Sequence, residues 1–442
     1  MGLVGMTDER PEPPAAGGGK RRHRALRWLV LSLGLLLVLL AAGGGWVYLH
    51  LDGNVRHSPL YLGSGSPGTE TKNGAGQSPL NILVIGSDTR ATAADCAIGG
   101  DCGPGANADV EMLVHLSAGR TSATVMSIPR DTVVDIPQCT DPKTGHVYPA
   151  VSRALITSSL QNGGPGCTVA AVHALTGIPV DHFALVDFSG VVSMSDTIGG
   201  VSVCVDNNIY DPYSQLKLAK GTHSLKGLAA LEFLRTRHGF GDGGDLGREA
   251  AQHVFLSSLV QKLKSANTLT NPIDLYDLAD AATKALTVDD GLGGITNLVA
   301  LASQLNDVLT AGITFTTMPT LVDPGNADWL VPTPAAQAVF RAIAADQALP
   351  DDTASATPQA AAMSPTADAG GAPPSGAQLL MRLMAPAAPA APMALAAQTP
   401  PARTLNAAAA PGCVAVGTQD TTPFGSPIAA YALNPQIPDS AP

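Results

Sequence analysis

The chain has 442 residues, with 25 lysines and arginines against 36 aspartates and glutamates and a net charge of −11. That length suggests one large domain or two, with tails. The negative balance argues against a general nucleic-acid binder, whose domain is normally basic.

The basic residues cluster at the start. Lys20, Arg21, Arg22, Arg24 and Arg27 form one run, and Trp28–Leu49 after it is apolar apart from Ser32 and several glycines. That is about the length needed to cross a bilayer. The positive run predicts an N-terminal side in the cytoplasm and everything after residue 50 outside the cell membrane. A cleaved signal peptide is the alternative, but the extension through Trp46-Val47-Tyr48-Leu49 favours an uncleaved signal anchor. The predicted organisation is a cytoplasmic basic tail (1–27), a single transmembrane helix (28–49), a Gly/Ser/Thr/Asn-rich linker (50–78) and a domain over 79–348. An Ala/Pro-rich tail over 349–442 cannot bury a core and is expected to be disordered.

Within the domain, Leu80–Gly86 reads as a buried strand and delivers Asp88 and Arg90 at its carboxyl end. Asn107-Ala108-Asp109 leads into a second apolar run, Val110–Leu116, and a third, Thr124–Ile128, ends at Pro129-Arg130-Asp131. Open α/β sheets bind ligands outside such strand ends. A lone Asp there is more often a turn residue, but three strand ends carrying Asp88, Asp109 and Arg130 point to a shared site. Helices are predicted over Pro149–Leu160 and Cys167–Leu175, and strands over Asp181–Val186 and Val201–Val205. Further helices follow at 228–234, 247–264, 272–286 and 295–309, then an edge strand, Ile313–Thr317, and a helix, Pro334–Ala348. This alternation implies an α/β fold: a three-layer αβα sandwich with a mixed or parallel central sheet.

Between two of those helices lies Arg235-Thr236-Arg237-His238, then a loop with Gly239, Gly241, Gly243, Gly244 and Gly247. Arg248 and Gln252 stand one turn apart on the following helix, and Phe255, Leu259 and Leu263 continue that face. Guanidiniums gathered by one loop repel each other unless an anion or carboxylates balance them. Phosphate suits the planar fork of Arg and a helix N-terminus. The apolar continuation is either a pocket wall or ordinary core packing. Asp245 is read as a helix cap, an orienting partner for Arg248 or a proton acceptor. His238 is read as a solvated loop residue or a general base.

Six cysteines fit an oxidising compartment. The simplest of 15 pairings joins Cys96 to Cys102 and Cys139 to Cys167, leaving Cys204 and Cys413 over. No spacing suggests zinc, and no Gly-x-Ser-x-Gly, Walker or dinucleotide pattern occurs.

Five separated blocks resemble the LytR-CpsA-Psr family: Asn81–Arg90, Ala108-Asp109, Ser127–Thr132, Arg235-Thr236-Arg237 and Asp245–Arg248 with Gln252. They span roughly 80–265, and Gly199-Gly200-Val201 also fits. The resemblance implies a membrane-anchored phosphotransferase that moves a glycopolymer from a polyprenyl-pyrophosphate carrier onto peptidoglycan, with Mg²⁺. The cargo would be teichoic acid, arabinogalactan or capsule. Asn107 departs from the Arg that family members often carry before the Ala/Ser-Asp pair. On this reading Asp88, Asp109, Arg130, Arg237 and Asp245 are catalytic. Arg130, Arg235, Arg237, Arg248 and Gln252 bind the pyrophosphate, and Asp88 and Asp109 hold the metal. A polyprenyl-pyrophosphate hydrolase and a non-catalytic envelope-binding or regulatory protein remain alternatives.

Overall fold

In this computed structural model, the described residues are 19–70, 72–90, 92–99, 102, 106–265, 271–349, 405–406 and 412–441. The chain divides into two units, 1–54 and 55–442. Among the described residues the first is a single helix, α1 (Gly19–Asn54). Its stretch Arg27–Asn54 has a mean hydropathy of 2.2 and exposes Trp28, Leu29 and the leucines that follow. It is long and apolar enough to span a bilayer.

The second unit is built on a central sheet of eight strands among the described residues. In chain order they are β1 (Arg56–Ser58), β2 (Leu80–Ser87), β3 (Ala108–Leu116), β4 (Ala123–Ile128), β5 (His182–Val186), β6 (Leu286–Asp289), β7 (Ile313–Thr317) and β8 (Leu405–Asn406). Their spatial order is β1-β6-β5-β2-β3-β4-β7-β8. The β2–β3, β3–β4, β5–β6 and β7–β8 pairs are antiparallel and the others parallel, so the sheet is mixed. The helices of this unit among the described residues are α2 (Ala93–Gly99), α3 (Pro165–Thr176), α4 (Phe188–Thr197), α5 (Leu228–Arg235), α6 (Asp245–Ser265), α7 (Pro272–Ala285), α8 (Ile295–Ala311), α9 (Pro334–Ala344) and α10 (Pro427–Leu433).

Strand alternation sorts the core onto two faces. Leu83, Ile85, Leu113, Met126 and Ile128 pack with Val169 and Val172 of α3 and with Phe340 and Ile343 of α9. Their neighbours Val84, Met112, Val114 and Val125 face the other way, with Leu256 and Val260 of α6 and Val308 of α8. Helices therefore cover both sides of the sheet, as the sequence alternation predicts.

Three expectations are corrected, and two elements were missed. The predicted helix over Pro149–Leu160 is a strand, Val151–Leu155, followed by a 3-10 turn, Ile156–Gln161. Val133–Ile136 offers that segment a partner to pair with, which periodicity alone cannot reveal. The linker expectation fails over its middle: β1 pairs with β6, and Leu60, Tyr61 and Leu62 pack on the core. A Gly/Ser-rich average hides three consecutive large side chains. Helix α4 and the hairpin of Ile209–Tyr210 with Lys217–Leu218 escape the pattern reading.

The third correction concerns the tail. Residues 350–404 and 407–411 lie outside the described residues, so the expectation of disorder there does too. Residues 412–441 are folded onto the domain: Val414 and Val416 join a core with Val205, Phe233, Phe240 and Phe255. Cys413 is bonded to Cys204, beside the bonds Cys96–Cys102 and Cys139–Cys167. Pairing by sequence proximity misses the long-range bridge because its partners lie 209 residues apart.

Candidate active site

A cavity of about 540 Å³ opens where β2 and β5 end and β3 begins, under α4, α5 and α6. Its polar end is lined by Asp109, Arg130, Arg235, Arg237, Arg248 and Gln252, and its interior by Val191, Met194, Ile198, Leu259, Leu263 and Leu278. Six of the eight singled-out residues therefore meet in one place, and the apolar face of α6 is a pocket wall. Gly86 lies here because a Cβ on it would come within 2.9 Å of the Val110 side chain.

The arginines are held by carboxylates around them. Asp109 ion-pairs with Arg130, and its backbone carbonyl accepts a 2.9 Å bond from Arg248 Nη2. Asp131 lies between Arg237, with which it pairs, and Arg130 Nε at 3.6 Å. Asp245 accepts the Arg130 backbone N–H at 2.9 Å and pairs with Arg248. Asp245 is buried and does not line the cavity. One of its oxygens faces the Arg130 backbone and the other the Arg248 guanidinium, so Asp245 orients both arginines.

Arg235 differs from the other three. It has no carboxylate within ion-pair distance among the described residues, and its guanidinium lies 4.5 Å over the Phe188 ring. Burial lowers its pKa, opposed by the charge of Asp109. It is the fork left free for an anion. Gln252 spends one N–H on the Leu234 carbonyl at 3.0 Å, tying α6 to the end of α5.

Asp88 lies behind the cavity wall at Ser87, where its carboxylate accepts from the Asn107 backbone N–H at 2.6 Å and its side-chain amide at 3.0 Å. Asn107 thus holds Asp88 by neutral hydrogen bonds, where an arginine would make an ion pair. Asp88, just past β2, and Asp109, on β3, carry hard oxygens of the kind Mg²⁺ takes, but Asp88 does not line the cavity and Asp109 is paired with Arg130, so substrate phosphate and water would have to supply most of the ion's ligands. No group of three His, Cys, Asp or Glu able to hold a metal occurs among the described residues, so such an ion would depend on substrate oxygens.

Sequence reading missed several residues. Phe188 follows Asp187, which caps α4 by accepting the Gly190 N–H at 2.9 Å. The strand-end rule, extended to β5, would have found that pair. Glu111 lies two residues beyond Asp109, fully buried, with neither oxygen hydrogen-bonded. Burial first, and then the charge of Asp245, push its pKa well up. Glu249 on α6 behaves alike, again through burial first. Two isolated acids in an apolar run and a helix carry no sequence signal for this.

A mixed α/β sandwich with guanidiniums at one end of a cavity whose interior is apolar has the features of a binding site for an amphiphile with an anionic head. The chain belongs to the LytR_cpsA_psr family, whose model matches residues 53–344. It is 32% identical over 347 residues to the cell wall biosynthesis protein LcpA of Corynebacterium glutamicum, covering 73% of this chain and 65% of that one. It is 33% identical over 307 residues to the probable cell wall biosynthesis protein LcpB of the same organism, covering 66% of each. The match to the polyisoprenyl-teichoic acid–peptidoglycan teichoic acid transferase TagT of Bacillus subtilis is 27% over 303 residues, 66% of this chain and 88% of that one. The chain thus spans just under two thirds of the length of the two corynebacterial relatives.

Proposed function

We propose that this protein is a phosphotransferase that moves a glycopolymer from a polyprenyl-pyrophosphate carrier onto a hydroxyl of peptidoglycan, leaving a phosphodiester. The observation that carries this reading is the joining of an arginine cluster, with Arg235 unpaired, to one apolar cavity. A diphosphate on an isoprenoid chain has that same two-part character. The relatives' names as cell wall biosynthesis proteins and a teichoic acid transferase point the same way.

In the proposed reaction the acceptor hydroxyl oxygen attacks the sugar-side phosphorus. The bond from that phosphorus to the bridging oxygen breaks, polyprenyl monophosphate leaves, and the hydroxyl proton passes to water or a carboxylate at the site. Negative charge grows on the bridging and non-bridging oxygens, so catalysis is largely positioning and charge neutralisation. Arg130, Arg237 and Arg248, oriented by Asp109, Asp131 and Asp245, would hold the phosphates, and Arg235 would supply the remaining fork. Mg²⁺, held by Asp88 and Asp109, would neutralise phosphate charge when bound. Val191, Met194, Leu259 and Leu263 would take the isoprenoid and keep water away.

We further propose that α1 anchors the protein in the cell membrane with its N-terminus in the cytoplasm and the site outside. That topology confines enzyme and lipid carrier to one surface and raises their effective concentration.

The test uses the full chain in lipid nanodiscs with Mg²⁺, a polyprenyl-pyrophosphoryl oligosaccharide and peptidoglycan. The expected products are polyprenyl phosphate and wall-linked phosphodiester. Release of free phosphorylated sugar alone, with acceptor present, would identify a hydrolase and overturn the transfer reading.

A further inference from the structure

Beside the arginines the cavity has a second wall of a different chemistry. The hairpin of Ile209–Tyr210 and Lys217–Leu218 carries Asp211, Tyr213 and Ser214 at its turn, and all three line the cavity. Tyr213 is 59% exposed, and its ring lies 4.4 Å from that of His238 at a tilt of 41°. Asp211 is fully buried: one oxygen accepts the Tyr213 N–H at 3.0 Å, while Oδ2 has no partner. His238 Nδ1 is likewise buried and unpartnered. A buried carboxylate oxygen without a donor is costly to keep unless a ligand supplies one. Neither group is used by the phosphate chemistry above.

This wall is rigid. Lys217, on the hairpin, donates to the Asn434 carbonyl at 3.0 Å and to the Ile437 carbonyl, and its ammonium lies 3.8 Å from Asp439. Ser440 bonds the Lys217 backbone in both directions, at 3.0 and 2.7 Å. Thr421 Oγ1 donates to the His238 carbonyl at 2.7 Å. The folded C-terminal segment thus braces both halves of the aromatic pair from behind. A braced platform binds without first paying to order itself.

We infer that the Tyr213–His238 pair, with Asp211 beneath it, is a subsite for a pyranose ring lying beside the diphosphate. The inference deepens the transferase reading and rests on it. A pyranose has an apolar C–H face, which stacks on an exposed aromatic ring, and hydroxyls at its edge, which donate to a carboxylate. His238 directly follows Arg237, so a sugar on this platform would sit next to a phosphate held by the arginine. The pathway of lipid, diphosphate and sugar then runs from the apolar interior, past the arginines, to the aromatic mouth. Tyr213 becomes a specificity-determining residue for the sugar. The ring comes either from the donor glycopolymer or from the peptidoglycan acceptor.

The test measures binding of polyprenyl pyrophosphate and of polyprenyl-pyrophosphoryl-N-acetylglucosamine to the full chain in nanodiscs with Mg²⁺, for wild type, Tyr213→Ala and Tyr213→Phe. A donor-sugar subsite predicts that wild type prefers the sugar-bearing lipid by about tenfold. Tyr213→Ala should erase that preference without weakening the sugar-free lipid, and Tyr213→Phe should keep it. An acceptor-sugar subsite predicts no such preference, but a peptidoglycan KM raised by Tyr213→Ala and restored by Tyr213→Phe. If the preference and the acceptor KM are both indifferent to Tyr213, the platform is overturned while the transferase reading stands. A wild-type chain that binds neither lipid would remove the transferase reading, and the platform with it.

Discussion

Asp109 has two jobs at once: its side chain pairs with Arg130 and its carbonyl receives Arg248. Asp109→Asn keeps the shape and the carbonyl bond but removes the charge. Turnover should fall on the order of a hundredfold, with lipid affinity changed only a few-fold, because the lost interaction acts on developing charge. Wild-type turnover in that variant would point to an anion binder. The sequence made the arginines and Asp109 legible because charged residues at strand ends and in a glycine loop are unusual company. It left Asp245 ambiguous, because only the fold shows that its oxygens face Arg130 and Arg248. A second residue tests the core. His253 shares a 2.8 Å hydrogen bond with Ser127, and burial pulls its pKa down to about 4. The unfolded chain therefore binds the extra proton first. The stability this neutral imidazole contributes is present above about pH 6.5 and is lost as the pH falls towards 4, by roughly 3 kcal/mol. Thermal melts between pH 7 and 4 should show a shallower loss for His253→Gln than for wild type. An unchanged slope would assign the acid sensitivity elsewhere.

Helix α6 is the element the site depends on, since Asp245, Arg248 and Gln252 occupy its first two turns and Phe255, Leu259 and Leu263 follow. Its start is fixed by Gly247. A Cβ there would lie 2.2 Å from the Phe240 carbonyl oxygen and 2.8 Å from its carbon. Backbone cannot swing aside as a side chain can, so Gly247→Ala must shift the helix or the loop. The expected cost is about 1–3 kcal/mol, together with a large loss of turnover as Arg248 moves off Asp109. Calorimetry and the nanodisc assay check both, and a variant with unchanged melting and activity would show that the contact relaxes freely. The helical period of α6 was readable from sequence, as was β2 with its terminal Asp88. The 209–218 hairpin was not, because its two-residue strands are too short to show alternation. The strand at 151–155 was not, because its partner at 133–136 is distant in the pattern.

Across the whole second unit, the least legible feature is the return of residues 412–441 after a long Ala/Pro-rich segment. Average composition conceals Val414 and Val416, and pairing by proximity leaves Cys204 and Cys413 apart. Yet these residues complete the core beneath Phe240 and brace the hairpin at Lys217. Cys413→Ser opens a bridge across 209 residues, worth roughly 5 kcal/mol by chain entropy, and should lower the melting temperature measurably. Deleting 412–442 should lower it further and weaken donor binding, since Thr421 no longer holds the His238 carbonyl. A truncated chain that melts and binds like wild type would show the segment to be an ornament.

The central claim is that one cavity takes a diphosphate at its arginine end and an isoprenoid in its apolar interior. A crystal structure of the protein with a polyprenyl-pyrophosphoryl saccharide tests it most directly. The account predicts phosphate oxygens on Arg130, Arg235, Arg237 and Arg248, with the hydrocarbon chain between α4 and α6. A lipid seated elsewhere, with Arg235 touching no phosphate, would contradict it.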